Sequence, residues 1–228
     1  MTLAAEEYQR IDEVLSELAP GQWDAPTDCT QWRVREIVAH LIGAAEASAS
    51  VREQLRQQRA GHRVRGERRQ LDAVNEVQVS ERAGMSTGEL RRGLTDAAER
   101  ALLARTRTPA AVRGLHFPFP PPLGWASLGF LGDIVYTRDA WMHRIDICRA
   151  AGLNPRLTPE HDGHIVADAA RAWQRATGGS ALDLTGPAGG NFPCPSAAPT
   201  AVFDAVDFAR ALAGRGRLPG IRDDVVLF

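Results

Sequence analysis

The feature that most constrains the fold is a helix-period apolar stripe. It recurs in segment after segment between Leu3 and Gly152 and is broken once by a cluster of prolines. Residues 3–18 place Leu3, Tyr8, Ile11, Val14, Leu15 and Leu18 on one helix face. After the loop "APGQWDAPTDCT", Thr30 is placed to cap a long helix through "QWRVREIVAHLIGAAEASASVREQL", with the stripe Val34, Ile37, Val38, Leu41, Ile42 and Ala45. "RQQRAGHRVRGERRQ" holds Gly61, Gly66 and six arginines and reads as a solvated connection. A third helix is expected from about Leu71 to Arg82. Ser86 and Glu89 match a capping box that opens a further helix to about Thr106. "TPAAVRGLHFPFPPPLGW" is too rich in proline to be helical and is expected to be irregular. A long helix then runs through "ASLGFLGDIVYTRDAWMHRIDICRAAG" and stops at Gly152, a normal C-terminal signal.

The pattern changes after Asn154-Pro155. Thr158 as N-cap with Pro159 in the first turn opens one more helix. Beyond Gly178 come short runs between Gly and Pro: "ALDLTG", "TAVFDAVDFARALAGRG" with a helix at about 204–213, and "DVVLF". The expected architecture is mainly α: an antiparallel helical bundle over residues 1–152, then a small α+β domain over 153–228.

Composition narrows the chemistry. The net charge of -1 supplies no global field for nucleic acid or an anionic membrane. No apolar run reaches membrane-spanning length, and the acidic, amphipathic start lacks the features of a signal peptide. Three widely spaced cysteines, Cys29, Cys148 and Cys194, suggest reduced thiols in a cytoplasm. All 27 basic residues are arginine, so Schiff-base chemistry, a pyridoxal anchor and a P-loop lysine are impossible. No GxSxG elbow is present either. The arginine-rich segment 52–69 has no aromatic residue on which a base could stack, and Glu53 and Glu67 dilute its charge. It reads as a solvated face.

Within "YTRDAWMHRID", Asp139 and His143 are four residues apart and share a helix face, so one metal ion can take both. His40, inside the apolar stripe of the second helix, is the natural third ligand. Two imidazoles and one carboxylate with an open fourth position make a catalytic zinc-type set that also suits other divalent first-row metals. Tyr136 or Asp146 could close the fourth position. Spacing alone leaves other readings open: D-x3-H is also a common surface pair, and a histidine on an apolar face is often simply packed. His161, His164 and Asp168 also share a helix face, but no second element offers them a partner. Asn75, Gln78 and Arg82 form a polar stripe on the third helix, equally consistent with a site or with solvent.

"WDAPTDCTQWRVREIVAHL" and "DIVYTRDAWMHRIDICRAAG" resemble the two signatures of the mycothiol-dependent maleylpyruvate isomerase family, part of the DinB-like superfamily. "DAVNEVQVSERAGMSTGELRRGL" is similar to its intervening helix pair, and "AVFDAVDFARALAGR" to the end of its small C-terminal domain. The resemblance implies a four-helix bundle holding a divalent metal, commonly zinc, with nickel or manganese as alternatives. Its ligands fall on His40, Asp139 and His143. The isomerase itself has glutamate where Asp139 stands, one methylene longer. The resemblance further implies mycothiol as co-substrate, with a metal-held thiolate adding to an activated double bond before rotation and elimination. Relatives transfer the thiol to electrophiles. The helix carrying Asn75, Gln78 and Arg82 would lie beside the metal, and Arg215 resembles a C-terminal arginine that reaches the thiol pocket. The implied partners are a small-molecule thiol and an electrophilic substrate, without nucleic acid or membrane. A non-catalytic metal- or ligand-binding bundle is the alternative.

Overall fold

The computed structural model describes residues 2–119, 124–195 and 199–222. In chain order the helices are α1 (Leu3–Glu17), α2 (Val34–Ala49), α3 (Val51–Val64), α4 (Gln70–Ser80), α5 (Thr87–Arg107), the one-turn α6 (Ala110–Arg113) and α7 (Leu128–Phe130), α8 (Tyr136–Ala151), α9 (Asp162–Thr177) and α10 (Ala205–Leu212). The strands are β1 (His116–Pro118), β2 (Trp125–Ser127), β3 (Leu182–Thr185), β4 (Gly190–Phe192) and β5 (Ala201–Asp204). The fold is mainly α, with a helical core and a small mixed region at the C-terminal end. It forms two compact units, Met1–Gly114 with His143–Asn154 and Leu115–Met142 with Pro155–Phe228. Helix α8 contributes its last turns to the first and its first turns to the second.

In the first unit α2 is the central element, packed against α3, α4 and α5, while α1 lies on α5. Its apolar stripe is fully buried: Val34, Ile37, Val38, Leu41 and Ile42 are at most 2% exposed. Ile11 and Leu15 of α1, Leu90 and Leu94 of α5, and Ile145 and Ile147 of α8 complete the core. Helix α5 opens on the capping box read from sequence, with Ser86 Oγ accepting from Glu89 N–H and Glu89 accepting from Ser86 N–H.

Three boundaries differ from expectation. Thr30 does not cap α2. Residues 26–33 fold into a tight loop in which Pro26 bridges Arg33 and Thr27 Oγ1 donates to the Trp32 carbonyl, so α2 starts at Val34. The long helix expected over 31–55 is two helices. Ser50 is extended (φ -148°, ψ 117°) and its hydroxyl accepts from Glu53 N–H, capping α3. The segment expected to be a solvated connection is helical to Val64, because Gly61 lets α3 approach α4: a Cβ there would lie 2.7 Å from Val74 Cγ2 and 3.0 Å from Val74 N.

In the second unit the proline-rich segment is more ordered than expected. It pairs β1 with β2 as an antiparallel hairpin, whose connecting residues 120–123 lie outside the described residues. One π-helical turn, Leu131–Val135, leads into α8. Thr158 does not cap α9. It caps a preceding turn through His161 N–H, and its own N–H donates to Asp162, where the helix begins. The sheet has order β4-β3-β5, antiparallel between β3 and β4 and parallel between β3 and β5. Helices α9 and α10 cover it, with Trp173 edge-on to Phe208 at 5.9 Å. The "DVVLF" run lies outside the described residues.

Candidate metal centre

The centre is built on α2 and α8. His40 sits at the end of the second turn of α2, where the apolar stripe drives it inward; it is buried, and so is His143. The two imidazole centroids are 5.0 Å apart, and the Trp32 indole lies 5.0 Å from His40 and 6.0 Å from His143. Helix α8 carries Asp139 one turn ahead of His143. Ligand-capable atoms of His40, Asp139 and His143 all lie within 4.8 Å of one another.

Each histidine has its own orienting partner. His40 Nδ1 is 2.8 Å from Gln78 Oε1 on α4. His143 Nδ1 is 3.1 Å from Asp146 Oδ2, three residues along the same helix. Both partners accept, so each Nδ1 carries the proton and each Nε2 keeps the lone pair that a metal needs. That arrangement, two oriented imidazoles and a carboxylate within one small radius, fits a divalent cation.

A second group, Cys29, His143 and Asp146, also meets ligand spacing. Here hydrogen bonding already accounts for the geometry: Cys29 Sγ donates to Asp146 Oδ2 at 3.6 Å, the same oxygen that faces His143 Nδ1. These two are the ligand-spaced groups among the described residues. His161, His164 and Asp168 do not form one; His164 Nδ1 meets the Glu160 carbonyl, and Asp168 accepts from Arg138 at 2.6 Å.

Of the other residues singled out, Gln78 is buried against His40. Arg82 is ion-paired with Glu46 and donates to the Gln78 carbonyl at 2.8 Å. Asn75 is half-buried on the same helix. Arg215, in the other unit, donates to the Ala213 carbonyl at 3.1 Å. Arg144, next to His143, turns away and pairs with Glu7 of α1. Gly43 matters for Gln78. A Cβ at Gly43 would lie 2.4 Å from Gln78 Cγ and 2.6 Å from Gln78 Cβ, so the bare α2 backbone is what lets the amide lie against it.

Residues 4–148 match the family model described as the mycothiol maleylpyruvate isomerase N-terminal domain. The chain belongs to this family. The match spans more than half of the sequence and includes His40, Asp139 and His143. Two solved structures share the fold beyond the family domain. The crystal structure of the mycothiol-dependent maleylpyruvate isomerase is 18% identical, with a TM-score of 0.61, and that of a point mutant of the isomerase is 17% identical, with a TM-score of 0.62. Each comparison covers 94% of this chain and 87% of the other. No curated protein sequence matches. Among the described residues no helix is long and apolar enough to cross a membrane.

Proposed function

We propose that this family member is a divalent-metal-dependent enzyme that uses a low-molecular-weight thiol of the mycothiol type to isomerise or modify an electrophilic small molecule. The observation that supports this most is the pair of buried histidines, each with Nδ1 held by its own acceptor, beside Asp139. His40, Asp139 and His143 are the proposed ligands, with zinc first and nickel or manganese as alternatives. A bound cation of this kind supplies Lewis acidity, lowering the pKa of a coordinated thiol or water. The chain's own residues do the rest: Gln78 and Asp146 orient the imidazoles, and the Trp32 ring walls both of them.

The same reading assigns residues 1–152 to the metal-binding bundle and 153–228 to a small α+β domain. It gives thiol or substrate contacts to Asn75, Gln78, Arg82 and Arg215, with the Arg82 charge shared with Glu46. A reducing, cytoplasmic setting accords with three free cysteines.

The test joins metal analysis to turnover. The purified protein should carry about one divalent ion per chain by elemental analysis. With mycothiol and a cis-unsaturated keto acid or an alkylating electrophile, it should consume substrate in a thiol-dependent way. A metal-loaded protein that turns over none of these would instead make the bundle a binding module.

A further inference from the structure

We propose that Gln57 is a positioning residue that fixes which nitrogen of His40 carries the proton. The inference rests on the reading of His40 as a metal ligand only for its consequence, not for its geometry. Gln57 lies on α3 and is buried. Its Nε2 donates to the Gly43 carbonyl at 2.9 Å and to Glu53 Oε1 at 3.0 Å. A backbone carbonyl and a carboxylate can only accept. The Glu53 carboxyl is held ionised, below its usual range, by hydrogen bonds from Arg56. The orientation of the Gln57 amide is therefore unambiguous: nitrogen toward Gly43, oxygen toward α4.

The polarity then propagates. Gln57 Oε1 accepts from Gln78 Nε2 at 2.7 Å. Gln78 must turn its remaining end, Oε1, toward His40 Nδ1. An acceptor there requires His40 to be protonated on Nδ1, which leaves Nε2 basic. Two buried amides thus transmit the acceptor character of the Gly43 carbonyl to the imidazole. An amide without such an anchor can flip end for end, and a flipped Gln78 would donate to Nδ1 and drive the proton onto Nε2.

Imidazole NMR on isotope-labelled, metal-free protein reads the tautomer directly. His40 is expected to be the Nδ1–H form in the wild type. Gln57→Leu should move a measurable share of His40 to the Nε2–H form and leave His143, held by Asp146, unchanged. Gln57→Glu should keep the wild-type tautomer, since burial beside the Gly43 carbonyl and Glu53 keeps its carboxyl protonated, with the hydroxyl donating there and the carbonyl oxygen accepting from Gln78 Nε2. Metal affinity should fall in Gln57→Leu in proportion to the tautomer share lost, by less than the ~10–100-fold expected on removing the histidine's direct partner, because Gln78 itself remains. If Gln57→Leu does not fold, Gln57→Met, unbranched and of similar length, carries the same comparison. An Nε2–H His40 in the wild type overturns the proposal, as does a Gln57→Leu tautomer equal to wild type. A tautomer that responds as stated in a protein that never binds metal supports the relay and removes the metal reading alone.

Discussion

A His143→Ala protein is expected to purify without stoichiometric metal while keeping its helical circular dichroism. His143 is the one residue common to both ligand-spaced groups, so its removal leaves neither with three members. Losing an outer partner costs about 10–100-fold in affinity, and losing a ligand nitrogen should cost more than that. The fold should survive. Truncation takes the His143 partner from Asp146, and a buried acceptor that loses a partner costs about 1–3 kcal/mol. That is small beside a total stability of about 5–15 kcal/mol. Elemental analysis with circular dichroism on the same sample decides it. A full equivalent of metal in a folded His143→Ala protein would falsify the assignment of the centre.

The second large effect concerns stability alone. Arg144 and Glu7 are buried at 1% and 0% exposure, and Arg144 Nε donates to Glu7 Oε1 at 2.7 Å. Arg144→Met leaves a carboxylate inside the core. Breaking such a pair from one side costs about 3–5 kcal/mol, and the urea midpoint should fall accordingly. The double variant Glu7→Leu/Arg144→Met should recover most of the loss, because an apolar replacement of both partners is often neutral or stabilising by about 1–4 kcal/mol. Equal midpoints for Arg144→Met and wild type would show that the pair contributes nothing. Neither residue belongs to the centre, so metal content in the folded variants should match wild type.

The helices were readable because their stripes are long and their period is clear: α1, α4 and α5 start and stop within a few residues of the apolar pattern. Gly61 misled, since a glycine among arginines looks like a break. Its reason is the approach of Val74 from another helix, which no local pattern encodes. The break at Ser50 was available. Ser50 with Glu53 repeats the Ser-x-x-Glu spacing of Ser86 with Glu89, and the continuous stripe obscured it. Loop 26–33 closes through Pro26 and Arg33, a pairing that spacing does not announce.

The centre divides in the same way. Asp139 and His143 declare themselves because i and i+4 share a face, and His40 because it interrupts an apolar stripe. The orienting residues carry no such mark. Asp146 reads from sequence as a candidate fourth ligand, yet it faces the other ring nitrogen of His143. Gln78 reads as part of a polar stripe, and nothing in that spacing announces that its amide also bridges His40 and Gln57. Gln57 is one polar residue among many on an arginine-rich helix, and only the packing of α3 on α2 and α4 reveals it.

The close approach at Gly43 makes it and Gln78 a single heritable unit. Alanine at 43 forces the base of the Gln78 side chain aside, where no rotamer of its far end gives relief. Alanine at 78 surrenders the His40 acceptor and still leaves its own Cβ 2.6 Å from a Cβ at 43, so only a glycine at 78 makes the glycine at 43 unnecessary. Homologues should therefore hold Gly with Gln, or a larger residue at 43 with glycine at 78, and few mixed pairs. In a deep mutational scan, the double change Gly43→Ala/Gln78→Gly, which removes both the Cβ and the Cγ that a Cβ at 43 would meet, should be less damaging to folding than Gly43→Ala alone, a sign reversal that additive effects cannot produce.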